Sequence, residues 1–250
     1  MFEGCEKRFL INRVYDDDKR RRLIDAIQAN SFYVDVIPFE EDAFNSLGSD
    51  QEKAHYLTNV NSARNYCVKQ SLDAGADVVC PMDGGMFFRD DGWIRFSIVC
   101  EENPDDGFFS FATWRVESVE DMLNMQVPPT LYSTYKFGKV STVGLTEFQL
   151  AFTQHADCLF DEALPYGRED KVELLYRLGI PGLWDHWNPK LYKDAKAKKS
   201  KFSGVVNNAS FVCRLPSGNA AGDKDNELRG EQRRQGVHSL INTISTKRSI

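Results

Sequence analysis

Several signals are missing from this 250-residue chain, and each absence removes a class of protein. No window offers about 18 consecutive apolar residues, so nothing reads as a membrane-spanning helix. The opening stretch, MFEGCEKRFLINRVYDDDKRRR, carries acids and bases where a secretory signal needs an apolar run, and a cytoplasmic location is the expectation. The six cysteines, at 5, 67, 80, 100, 158 and 213, form no C-x-x-C pair and sit mostly in apolar contexts. They read as reduced core thiols, not as a zinc site or a disulfide frame. Basic excess is lacking too: 31 Lys and Arg against 37 Asp and Glu leave a net charge of −6. General electrostatic coating of nucleic acid is thereby disfavoured, although a local patch is not. No internal repeat occurs, and no glycine-rich loop near the N-terminus offers a cradle for a triphosphate.

What is present describes a folded α/β chain. Hydrophobic residues make up 42%, aromatics 12% and charged residues 27%, enough for a core beneath a charged surface. The length suits one compact domain over 1–250, with 215–226 as a flexible linker to a C-terminal helix. RFLINRV (8–14) reads as a strand; YDDD then supplies N-caps for the helix KRRRLIDAIQAN, whose Leu23, Ile24 and Ile27 share a face. FYVDVIPF (32–39) is the next strand, EEDAFNSLGSDQEKAHYLTNV (40–60) a polar loop, and NSARNYCVKQSLDAGA a helix closed by Gly75. DVVCPMD (77–83) reads as a strand buried on both sides. Strands alternating with helices predict a mostly parallel central sheet with flanking helices.

Further on, GWIRFSIVCEE, GFFSFATWRVES, LYSTYKFGKVST and TEFQLAFTQ read as antiparallel or edge strands, from their aromatic and β-branched content. They make a small antiparallel segment. REDKVELLYRLGI is an amphipathic helix stopped by Pro181-Gly182, ASFVCRL a last strand and ELRGEQRRQGVHSLINTIS a terminal helix.

The chemistry concentrates at strand ends. Asp83 follows an apolar strand and precedes Gly84 and Gly85, an arrangement that lets backbone approach a phosphate or a cation closely; an Asp-Gly turn is the plainer alternative. In the preceding helix Asn61, Arg64 and Asn65 lie in the first turns, and Arg64 suits an anionic ligand or a surface ion pair. GLWDHWNP packs Trp184 and Trp187 around Asp185 and His186, either to stack on a sugar or to close a core edge. KDAKAKKSK reads as a solvated loop, or as a lid over a diphosphate.

The helix with ARN followed by AGADVVCPMDGG, and then LFDEALPYGREDKVELLYRLG downstream, resembles family-2 glycosyltransferases of the GT-A fold. A closer likeness is to bacterial GT-A-like domains found alongside alginate-lyase-type modules, matched here by NSARN, CPMDGG, FDEALPYGREDKVELLYRLGIPGLWD and RLPSG, from about residue 8 to 240. The resemblance implies a GT-A-like (Rossmann-like) fold and transfer of a sugar from a nucleotide-diphosphate donor to a hydroxyl of a glycan or a modified nucleic-acid base. It puts Asp83 in the place of the metal-binding acid, with Gly85 where a second acid usually stands. A Mn²⁺ or Mg²⁺ ion would then need Asp83 with phosphate oxygens, water and Asp185 or His186. Arg64, Asn65 and Asn61 fall near the nucleotide. Asp170 is the first candidate for general base, then Glu169, with Asp161 and Glu162 next; Asp170 and Glu169 also suit the N-terminus of the following helix. Tyr166, Arg168, Lys171, Trp184 and Trp187 fall on the acceptor side. The alternative is a GT-A-like module that binds a carbohydrate or a partner without turnover. No obligate protein partner is evident.

Overall fold

The computed structural model describes residues 5–83, 85–116, 118–126, 148–164, 172–178, 206–215 and 226–246. They form an α/β protein whose chain divides into two compact units, Met1–Ala63 with Glu162–Asp170 and Asp225–Ile250, and Arg64–Asp161 with Lys171–Lys224.

In the first unit β1 (Arg8–Asn12) pairs in parallel with β2 (Tyr33–Ile37) through the crossover helix α1 (Asp17–Ala29). Asp16 caps α1, its carboxylate accepting from the Lys19 N–H at 3.0 Å. The expected apolar face of α1 is only partly covered, Leu23 being 47% exposed. The stretch 40–60, expected to be a loop, instead holds α2 (Glu41–Asn45) and α3 (Asp50–Thr58). The reason is a capping box: Ser49 Oγ accepts from the Glu52 N–H at 3.2 Å and Glu52 Oε2 accepts from the Ser49 N–H at 2.9 Å. The unit closes around Phe44, Ala54 and Leu57 with Ile241 and Ile244 of α8 (Asn226–Thr246).

The second unit is built on a five-stranded sheet in the order β3 (Val78–Val79), β6 (Phe148–Thr153), β5 (Phe108–Arg115), β7 (Asn207–Arg214), β4 (Met86–Phe87). Of its pairings among the described residues only β5 with β7 is parallel, so the sheet is mixed where a mostly parallel one was expected. The β3 strand is also shorter than the 77–83 run suggested, because Pro81 cannot donate to a ladder and pairing stops at Val79. The sheet is buried on both faces. Alternation along β5 and β6 sends Phe108, Ala112, Leu150 and Phe152 one way and Phe109, Phe111 and Ala151 the other.

The first face is covered by Val68 and Leu72 of α4 (Val60–Asp73) and by Leu174, Leu175 and Leu178 in and just after α7 (Val172–Arg177). The second is covered by α5 (Asp90–Glu102) through Trp93, Phe96, Val99 and Cys100. α6 (Val119–Asn124) follows β5. Each phenylalanine buried in these layers contributes about 1.5–3 kcal/mol from removal of its surface from water.

α5 corrects a further expectation, since GWIRFSIVCEE is a helix and not a strand. Trp93, Phe96 and Cys100 recur at helical spacing, and Asp90 and Asp91 sit at the positive end of the dipole. Gly92 allows α5 to lie close on β7: a Cβ there would stand 3.0 Å from the Phe211 carbonyl oxygen. Among the described residues no helix is long and apolar enough to cross a membrane.

Candidate functional site

Asp83 stands four residues past the end of β3, on backbone released from the ladder. Its Oδ1 is 2.9 Å from Nη2 of Arg64, the residue of α4 with which the second unit begins, and the two side chains are 30% and 13% exposed. The guanidinium also lies over the ring of Phe160, Cζ to centroid 5.4 Å, so apolar contact and charge together fix its plane. An arginine held this way presents N–H donors to an anion without first losing much side-chain freedom. Sequence placed Arg64 and Asp83 at one site, and the structure brings them into contact.

The turn after Asp83 depends on Gly85, whose φ of +83° is in the left-handed region and whose carbonyl accepts from the Leu215 N–H at 2.9 Å. Gly84 lies outside the described residues.

Asn65, expected near the nucleotide, bonds to backbone. Its Nδ2 donates to the Phe160 carbonyl at 2.8 Å while its Oδ1 accepts from the Phe160 N–H at 3.0 Å, so both arms hold the backbone that carries the ring under Arg64. Asn61 is fully buried. The α4 N-terminus is finished by Asn59, which sequence reasoning overlooked: its Oδ1 accepts from the Ser62 N–H at 2.9 Å and its Nδ2 donates to the Glu162 carbonyl at 3.1 Å. Asp161 is partly buried and Glu162 exposed. Tyr166, Arg168, Glu169, Asp170, Lys171, Trp184, Asp185, His186 and Trp187 lie outside the described residues, as do LYSTYKFGKVST and KDAKAKKSK.

The donor set for a divalent cation is therefore thin. Asp83 offers one carboxylate whose Oδ1 is on Arg64, Gly85 stands at the second acid's position, and no group of three or more His, Cys, Asp or Glu suited to a metal occurs among the described residues. By themselves these residues do not make a cation site.

A concave feature that the sequence did not suggest belongs to the first unit. A cleft of about 480 Å³ is lined by Arg13, Ser49, Glu52, His55, Tyr56 and Asn59, among others. Arg13 follows the carboxyl end of β1 with φ +47°, a conformation few non-glycine residues adopt. Its N–H donates to Ile37 O at 2.8 Å, its Nη1 to Asn12 Oδ1 at 3.0 Å, and its Cζ stands 4.9 Å from the Tyr56 ring centroid. Arg13 has no carboxylate partner among the described residues. The sequence signal was its place at the end of a β-branched run; nothing in the letters showed the positive φ.

Compared with family models, with curated proteins and with solved structures, the chain matches none.

Proposed function

We propose that this chain is a nucleotide-sugar-dependent glycosyltransferase of GT-A-like fold. The observation that carries the reading is the Arg64–Asp83 pair: an oriented guanidinium and a carboxylate meet just beyond a strand end, on the NSARN and CPMDGG segments that carry the likeness to such enzymes. The reaction asks for charge stabilisation more than for covalent chemistry. An acceptor hydroxyl oxygen bonds to the anomeric carbon, the bond from that carbon to the diphosphate oxygen breaks, and the electron pair leaves with the nucleoside diphosphate. The hydroxyl proton passes to a carboxylate base, for which Asp170 is the first candidate, followed by Glu169, Asp161 and Glu162. In this reading Arg64 stabilises the negative charge that grows on the leaving diphosphate, and its side chain, 13% exposed, acts there with little screening by water. The likeness implies a Mn²⁺ or Mg²⁺ ion, which Asp83 would help to hold and which would offset charge on the diphosphate. The cleft of the first unit, where the Arg13 guanidinium lies over the Tyr56 ring, is by itself of a size that takes a base or a sugar ring.

Gly85 in the second acid's position favours a second reading, a GT-A-like module that binds carbohydrate without turnover. Calorimetry with UDP, GDP, CDP and TDP, each with and without Mn²⁺, separates the two. The transferase reading expects one nucleotide to bind wild type and to lose at least about tenfold in affinity, about 1.4 kcal/mol, in Arg64→Ala. Binding of an oligosaccharide but of no nucleotide would favour the module.

A further inference from the structure

We infer that Glu173 and Arg177 are positioning residues for Arg64, acting through the Leu159–Phe160 step. The inference rests on the reading of Arg64 as a diphosphate-binding group and adds to it the elements that hold that group in place.

Glu173 is 1% exposed and Arg177 11%, one turn apart on α7, with Nε 2.8 Å from Oε1. The pair is a contact of charges without an aligned hydrogen bond, since neither Glu173 oxygen has a hydrogen-bond partner among the described residues. Burying two charges so sparingly satisfied costs stability, and an apolar pair of similar volume would often hold α7 in the core as well. Packing alone does not account for it, because Leu174, Leu175 and Leu178, none more than 2% exposed, already fix α7 against the sheet. Arg177 does one thing an apolar residue cannot: its Nη2 donates to the carbonyl of Leu159.

The next residue is Phe160, and it is gripped again. Asn65 takes both its backbone groups, and its ring packs on Phe152 at 5.3 Å between centroids. On that ring lies the Arg64 guanidinium, which reaches Asp83. Glu173 thus orients Arg177, Arg177 and Asn65 fix the backbone at 159–160, and the phenyl ring sets the plane in which Arg64 meets an anion. Small displacements at a charged group that must match a diphosphate are expensive in affinity, which gives the buried pair a function.

The test uses the full chain and two variants. Glu173→Gln/Arg177→Met removes both charges together and leaves no lone buried ion; Phe160→Leu removes the ring while leaving the Asn65 grip and the α7 pair intact. The first readout is the Arg64 Nε–Hε signal in NMR, which a purely structural role for α7 would not move in a protein that stays folded. The expected result is faster exchange of that proton with water, by about tenfold or more, in both variants. The second readout is calorimetry with UDP, GDP, CDP and TDP plus Mn²⁺: an affinity loss in each variant that is not additive with Arg64→Ala. An unchanged Arg64 signal in a folded variant overturns the inference. Should the double variant fail to fold, Phe160→Leu decides the matter by the same signal. Should wild type bind no nucleotide, the donor reading fails while the Arg64 signal still judges the positioning.

Discussion

Replacing Asn65 by alanine removes two hydrogen bonds at once, those to the N–H and the carbonyl of Phe160. Asn65 is 3% exposed and Phe160 5%, so water does not take the vacated places. A net hydrogen bond contributes about 1 kcal/mol and an orphaned buried group costs about 1–3 kcal/mol, which puts the loss at about 2–4 kcal/mol. Against the ~5–15 kcal/mol that holds a typical domain, that is a large share. Asn65→Asp sharpens the test. It keeps size and the Oδ1 acceptor but turns a carboxylate oxygen toward the Phe160 carbonyl, and it should cost at least as much as alanine. Urea denaturation followed by tryptophan fluorescence measures both, beside nucleotide calorimetry. A stability change within about 0.5 kcal/mol together with lost nucleotide affinity would refute the reasoning and return Asn65 to the ligand.

Other consequences are narrower. Gly107→Ala puts a Cβ 2.8 Å from the His155 carbonyl oxygen, on backbone that cannot swing away, and should destabilise by about 1–3 kcal/mol in the same denaturation assay. Gly75→Ala meets nothing within 4 Å at φ +91° and should cost only the left-handed backbone strain, about 1–2 kcal/mol. Burial pushes the Cys100 thiol up to about 12 and the Cys213 thiol up to about 11, from an ordinary value of 9.0. Unfolding frees both to ionise, so their contribution is full below the ordinary value and fades as pH rises toward 11–12. Thermal melts of wild type against Cys100→Ala/Cys213→Ala should show a shallower alkaline decline in the variant. The Ser49 hydrogen bonds hold the Glu52 carboxyl below its ordinary 4.5, so that contribution is present above this value and lost as pH falls. Ser49→Ala should weaken the acid dependence of melting.

The β-α-β opening was legible because its signals are local: a β-branched run, aspartates ahead of the helix, a second run. α4 and its Gly75 stop were legible for the same reason. The capping box before α3 was written in the sequence as Ser49-x-x-Glu52 and was passed over because the surrounding residues are polar. α5 was misread because Trp93, Ile94, Phe96, Ile98 and Val99 favour strands, while the helical stripe that decided the matter has to be counted, not judged by composition. Sheet direction was never local. β3, β5, β6 and β7 are joined by long connections, and nothing in a strand says which neighbour it takes or which way that neighbour runs. At the candidate site the letters carried Arg64 and Asp83, since both stand at element ends. They did not carry Phe160 beneath Arg64 or Asn65 turned to that backbone, because those contacts join residues 96 and 95 apart. Arg13 was invisible as a site residue until its φ and its ring partner were seen.

The most direct test of the central claim is turnover. UDP-, GDP-, CMP- and TDP-sugars are incubated with wild type and with Asp83→Ala, with and without Mn²⁺. Oligosaccharides and nucleic acids bearing hydroxymethylated bases serve as acceptors, and both the freed nucleotide and the mass of the acceptor are followed. The account predicts that one nucleoside-diphosphate sugar is consumed by wild type, with a matching gain of one sugar on an acceptor, and that Asp83→Ala loses it. A wild-type protein that binds sugars yet frees no nucleotide from any donor would contradict it.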